Sequence, residues 1–190
     1  MTPSQCVTER QLFRRAVWQI TWALVIWMPK PCSPIRIFAL RLFGARIGKH
    51  CLVCAHVKVL IPWNIDFGDF VSIGKGVDLY NFSPISIGDH AIVSQRSFLC
   101  TGSHDYSLLS HPLVSRPIAI GPRAWICSEC FVHPGVTIGE GAVIGARSVV
   151  AKDMPAWTVC AGHPCRAIKP RIITRKYLAV LGEDTEALES

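Results

Sequence analysis

His104 stands in "LCTGSHDYSLLSHPLVSRP", a polar stretch unlike the sequence on either side. A neutral imidazole is the side chain best suited to take a proton near neutral pH. Asp105 follows it directly, but consecutive residues of an extended segment point to opposite sides, so adjacency alone implies no His–Asp dyad. His111 shares the stretch and is the second candidate base. Isolated histidines are more often inert than catalytic, so the weight rests on where His104 sits. The other chemistry on offer is metal binding. Cys51/Cys54 and Cys127/Cys130 are two C-x-x-C pairs, a spacing that suits zinc.

The surrounding sequence repeats every six residues. Ile120, Ile126, Val132, Ile138, Ile144 and Val150 fall six apart without a break. Phe67, Ile73 and Leu79 keep the same step, as do Ile87, Val93 and Leu99, and Ile47, Val53 and Val59. The residue after the aliphatic is often Gly, and the fifth position is small or Val. A period of six fits neither a helix nor a simple alternating strand. It fits one short strand plus one turn, with three hexads closing a triangular coil of about 18 residues and coils stacking as a parallel β-helix. The fold class expected is therefore all-β. Cys51 and Cys130 occupy the small fifth position, and Cys54, Cys100 and Cys127 the small second position. All five are accounted for as small residues of a crowded coil, so no metal is expected.

The interruptions show where the coil does something else. The longest, residues 100–117, holds His104; a loop of this length inside a compact repeat is usually functional. At "YNFSPISIG" two extra residues shift the frame. Residues 1–45 read as an apolar, helical N-terminal cap, residues 46–165 as the coil and residues 166–190 as a tail with a short helix. The apolar run at residues 16–28 is shorter than the roughly 20 residues a spanning helix needs. It covers the open end of the coil or meets another subunit. The competing reading is a peripheral membrane contact through residues 10–28, with Trp18, Trp22 and Trp27 at the headgroups and Arg10, Arg14 and Arg15 beside them.

The chain of 190 residues carries a formal charge of +7. Glu183, Asp184, Glu186 and Glu189 lie in the acidic end, so residues 1–182 carry +11. Such a body suits an anionic partner: a phosphorylated cofactor, an anionic membrane or nucleic acid. Nine cysteines, an odd number, with no signal peptide in view argue for free thiols in a reducing compartment.

In "RLFGARIG", "CTGSHD" and "AWICSECFVHPGVTIGEGAVIGARSVVAKDMPAWTVCAGHPCRAIK" the chain resembles the hexapeptide-repeat acetyltransferases, in particular those of colanic acid and other exopolysaccharide synthesis. It is also similar to the galactoside, maltose and nodulation-factor O-acetyltransferases. The resemblance implies a left-handed coil, a homotrimer with each site between two subunits, acetyl-CoA as co-substrate, a carbohydrate acceptor and a cytoplasmic location, with no nucleic acid as partner. It places the catalytic base on His104, an aromatic flanking the pantetheine arm on Trp125, and a thioester-facing N–H on Ser128. It also places a pantetheine contact on Ala146, and phosphate-side cations on Lys152, Arg166 and Lys169. Cys127, Ala151 and His133 depart from the family pattern.

The reading that follows is an acetyl-CoA-dependent O-acetyltransferase acting on a sugar hydroxyl. N-acetylation of an amino sugar and a non-catalytic β-helix are the alternatives. The motifs do not separate O from N acceptors. A zinc anhydrase of this shape would need three converging histidines, and only His104 and His111 share the long loop.

Overall fold

Each aliphatic hexad position lies on a strand of two or three residues, and three successive strands make one turn of a triangular coil. The structure, a computed structural model, describes residues 9–173, with side chains from residue 12 onward. The first coil is β1 (Arg46–Ile47), β2 (Leu52–Val53) and β3 (Lys58–Val59). The second is β4 (Ile65–Phe67), β5 (Ser72–Ile73) and β6 (Asp78–Tyr80), and the third β7 (Ile85–Ile87), β8 (Ile92–Val93) and β9 (Phe98–Cys100). A hairpin follows, β10 (Gly102–His104) and β11 (Leu113–Ser115), and then a fourth coil of β12 (Ile118–Ile120), β13 (Trp125–Ile126) and β14 (Phe131–Val132). The fifth is β15 (Thr137–Ile138), β16 (Val143–Ile144) and β17 (Val149–Val150), closed by β18 (Thr158–Gly162) and β19 (Cys165–Pro170).

Strands of successive coils pair in parallel and in register, giving three sheets. Ile47, Phe67, Ile87, Ile120 and Ile138 form one ladder. Val53, Ile73, Val93, Ile126 and Ile144 form the second, and Leu79, Leu99, Val132 and Val150 the core of the third. Most of these side chains are fully buried, each worth about 1.5–3 kcal/mol of apolar burial. The fifth positions point inward too: Val57, Val71, Val77, Ala91, Ala124 and Ala142 are buried beside them.

The coils are not all of 18 residues. The step along the first ladder is 20 from Ile47 to Phe67 and again to Ile87, 33 to Ile120, and 18 to Ile138. All three enlargements fall at one corner, between the third sheet and the first. The first is a 3₁₀ turn, Pro62–Asn64. The second centres on Asn81, fully buried, whose Oδ1 accepts from the N–H groups of Leu60 and Ile61 and whose Nδ2 donates to the Ile61 carbonyl. The third is the His104 loop, rooted by buried Thr101, whose hydroxyl accepts from Ser83 N–H and donates to the Tyr80 carbonyl. The loop therefore grows from a corner already widened by two coils beneath it.

The open first coil presents strand groups with no coil below them. Two helices, α1 (Glu9–Val25) and α2 (Ser33–Leu42), satisfy them. Trp18 and Trp22 donate their indole N–H groups to the carbonyls of Val59 and Val57, each at 2.9 Å. Arg36, fully buried, donates to the carbonyls of Val53, Met28 and Pro29, and Ser33 Oγ accepts from Val53 N–H. This corrects part of the expected membrane contact: Trp18 and Trp22 cap the coil and face no lipid, because the indole N–H is needed by unpaired strand carbonyls. Trp27 alone of the three is exposed, edge-on to His56.

At the other end β18 pairs with β16, and β19 folds back on β18 to cover the last coil. Arg171 then anchors the chain by donating to the carbonyls of Arg123 and Gly141. The helix expected in the acidic tail lies outside the described residues.

Candidate active site

The loop folds as an antiparallel hairpin in which His104 pairs with Leu113. Nδ1 of His104 lies 2.6 Å from the carbonyl oxygen of His111. A carbonyl can only accept, so the neutral ring carries its proton on Nδ1 and keeps a lone pair on Nε2. Asp105 takes no part in this. Its Oδ1 accepts from the N–H and the hydroxyl of Ser107, which holds its carboxyl below the usual carboxylate range. The His–Asp dyad that adjacency alone did not imply is absent here.

His104 opens onto a groove of about 350 Å³ lined also by Ser103, Tyr106, Ser115, Arg116 and Pro134. Nothing in the sequence pointed to Ser115 or Arg116. They return beside His104 only because the hairpin register brings β11 back across β10.

A second constellation lies on another corner, between the second and third sheets. Trp125 stands outward on β13, with its indole N–H donating to Ser94 Oγ at 2.9 Å. Ser128 follows at the corner, and the register that sets Ile126 beside Ile144 stacks Ala146 on it. The N–H groups of Ser128 and Ala146 find no acceptor among the described residues, whereas Cys127, Glu129, Gly145 and Arg147 all donate to a neighbouring coil. Beside this column, Glu129 accepts from both Arg96 and Arg147, which hold its carboxyl below the usual range. Arg166 and Lys169 project from exposed positions of β19, Arg166 opposite Ala161.

The structure thus brings Trp125, Ser128 and Ala146 onto one edge, with Arg166 and Lys169 above it. It does not bring His104 to them within one chain. Lys152 follows β17 and sits on the same corner as the His104 hairpin.

The model described as bacterial transferase hexapeptide (six repeats) matches residues 117–152. The colanic acid biosynthesis acetyltransferase WcaF of Escherichia coli (strain K12) is 43% identical over 157 residues, covering 83% of this chain and 86% of that one. The chain belongs to the hexapeptide-repeat acetyltransferases. Among solved structures of this family, a maltose O-acetyltransferase from Clostridium difficile 630 superposes with a TM-score of 0.74 at 27% identity, covering 87% of this chain and 90% of that one. A galactoside acetyltransferase in complex with coenzyme A does so with a TM-score of 0.74 at 26% identity, covering 88% and 86%. The coil of this hexapeptide-repeat acetyltransferase is the left-handed parallel β-helix that the resemblance implied.

Cys51 and Cys130 donate their thiols to the carbonyls of Gly68 and Gly145. Burial pushes the Cys130 thiol up to about 11, so thiolate formation there is opposed. Zinc ligation needs the thiolate. Among the described residues no three metal-ligating side chains converge.

Proposed function

We propose that the protein transfers the acetyl group of acetyl-CoA to a sugar hydroxyl in exopolysaccharide or related glycan synthesis, with His104 as general base. The observation that carries this is the bond from His104 Nδ1 to the His111 carbonyl, which leaves Nε2 with a lone pair on a side chain that lines the groove. Nε2 takes the acceptor hydroxyl proton as that oxygen attacks the thioester carbonyl. The carbon–sulfur bond then breaks, and the imidazolium returns the proton to the departing CoA thiolate.

The residues of the second corner fit the co-substrate. The free N–H of Ser128 is the donor for the oxyanion that forms on the thioester carbon. The free N–H of Ala146, behind a small exposed side chain, suits the amides of the pantetheine arm. Arg166 and Lys169, one coil beyond, are placed for the phosphates, with Lys152 reaching them from a second chain. Because His104 and Ser128 occupy different corners of one prism, the working site is built from two chains. A homotrimer satisfies this three times over, and we assign the cytoplasm, where acetyl-CoA is held, as its place of action.

Purified protein incubated with acetyl-CoA and a panel of neutral, acidic and amino-sugar oligosaccharides tests the reading. Expected are release of CoA and a product heavier by one acetyl group that mild alkali removes, since esters hydrolyse there and amides do not. An alkali-stable product would assign an amino acceptor instead, and no turnover with any acceptor would overturn the proposal.

A further inference from the structure

Both cap helices are apolar on two opposite faces. On α1 the inner face, Trp18, Trp22 and Val25, is buried on the coil, and on α2 the inner face is Ile37 and Leu40 with Arg36. The outer faces are apolar as well. Phe13, Ile20 and Leu24 on α1, Trp27 just after it, and Phe38 and Leu42 on α2 are each 67–73% exposed. A helix apolar all round is normally covered on every side, and six large side chains at this exposure on two packed helices exceed the scatter of single apolar residues on soluble surfaces.

The charge around this face is one-sided. From Glu9 to Leu42 the chain has six basic residues, Arg10, Arg14, Arg15, Lys30, Arg36 and Arg41, and one acidic residue, Glu9. Arg36 is fully buried on the inner face and offers no charge to the surface, whereas Arg14 and Arg41 are exposed and donate only to backbone carbonyls, so these bonds leave their positive charge in place. A second copy seated face to face would set like charge against like charge. An anionic lipid surface answers both features, accepting the apolar side chains among its acyl chains and the cations among its phosphates. No helix among the described residues is long and apolar enough to cross a membrane, so a contact of this face with lipid is one along the surface.

We propose that the outer face of α1 and α2 is a docking surface for an anionic phospholipid bilayer, holding the base of the coil against the membrane. The inserted residues are Phe13, Ile20, Leu24, Trp27, Phe38 and Leu42, and not Trp18 or Trp22. The proposal is independent of the acetyl-transfer reading.

Full-length protein is sedimented with vesicles of phosphatidylcholine alone and with vesicles carrying about a third phosphatidylglycerol. Expected is binding to the anionic vesicles that falls at least about tenfold at high salt, and at least about tenfold in Leu24→Glu/Phe38→Glu. That variant should keep the wild-type oligomer mass and thermal midpoint. If it does not fold, brominated phosphatidylglycerol vesicles serve with the wild type and Trp27→Phe. Emission quenched in the wild type and spared in Trp27→Phe supports the proposal, and equal quenching in both overturns it. Failure to bind anionic vesicles, binding unchanged in a folded Leu24→Glu/Phe38→Glu protein, or loss of oligomer mass in that protein overturns it too. The last outcome would assign the face to contacts between copies.

Discussion

His104 Nδ1 and the carbonyl oxygen of His111 face each other at 2.6 Å across the hairpin that stands on the widest corner of the coil. The contact ties the ring's tautomer to the loop's fold. His104→Ala should lower kcat by about 10²–10⁴, the usual worth of a general base. Replacing residues 105–112 by a short glycine linker, with His104 kept, should lower kcat by more than about tenfold, because the acceptor for Nδ1 is gone. Steady-state kinetics with unchanged circular dichroism checks both. Full activity in the shortened chain would show that the ring needs no such partner.

Ser128 precedes Glu129, which has φ +61°, as Pro122 precedes Arg123 at +56° and Pro134 precedes Gly135 at +84°. Proline is thus already accepted at the equivalent position of two other corners. Ser128→Pro should fold with little loss and remove the unpartnered N–H, together with a hydroxyl that Ser128→Ala removes alone as the control. We expect kcat to fall by about 10²–10³, the usual effect of losing one oxyanion donor. A fall of less than about threefold would remove that N–H from the reaction.

Arg36→Met should cost about 3 kcal/mol in urea unfolding at fixed protein concentration. It leaves the carbonyls of Val53, Met28 and Pro29 without their donor. A loss under about 1 kcal/mol would mean that water replaces the guanidinium there.

Coil stacking makes some glycines obligatory and others not. A Cβ on Gly121 would fall 2.5 Å from the Glu140 nitrogen, and backbone cannot give way without opening the stack. Gly121→Ala should destabilise by about 2 kcal/mol. Gly76, at φ +70°, has open space with Arg96 Cγ 3.6 Å away, so Gly76→Asn meets no backbone and should cost only the left-handed strain, about 1 kcal/mol or less for Asn. Paired urea midpoints decide this.

Stability should fall at alkaline pH. Burial raises the thiols of Cys51, Cys100, Cys127, Cys130, Cys160 and Cys165, with Cys130 reaching about 11. Above the free-thiol value of about 9 the unfolded chain loses protons that the folded chain keeps, so unfolding is favoured as pH rises. The contribution is full below pH about 9 and is lost towards about 11. Cys130→Ala should flatten the fall in urea midpoint between these values, and an unchanged slope would show that Cys130 does not cause it.

The hexad was legible in the sequence because each inward position of a coil is filled by one side chain and repeats with the strand. Ile120, Ile126, Val132 and Ile138 needed no tertiary information to be placed inside. The candidate histidine, His104, was legible as well, since a break in a strict period is itself a signal. What the linear order could not carry was which breaks share a corner. Pro62–Asn64, Asn81 and the His104 hairpin are separated by about 20 residues each, and only coil closure stacks them. Nor could it tell the two apolar faces of α1 apart. Trp18 and Trp27 have the same side chain, but one indole N–H meets the Val59 carbonyl at the open edge of the first coil and the other side chain is left 73% exposed. That difference is decided by which strand groups lack a partner, a property of the assembled coil and of no single segment.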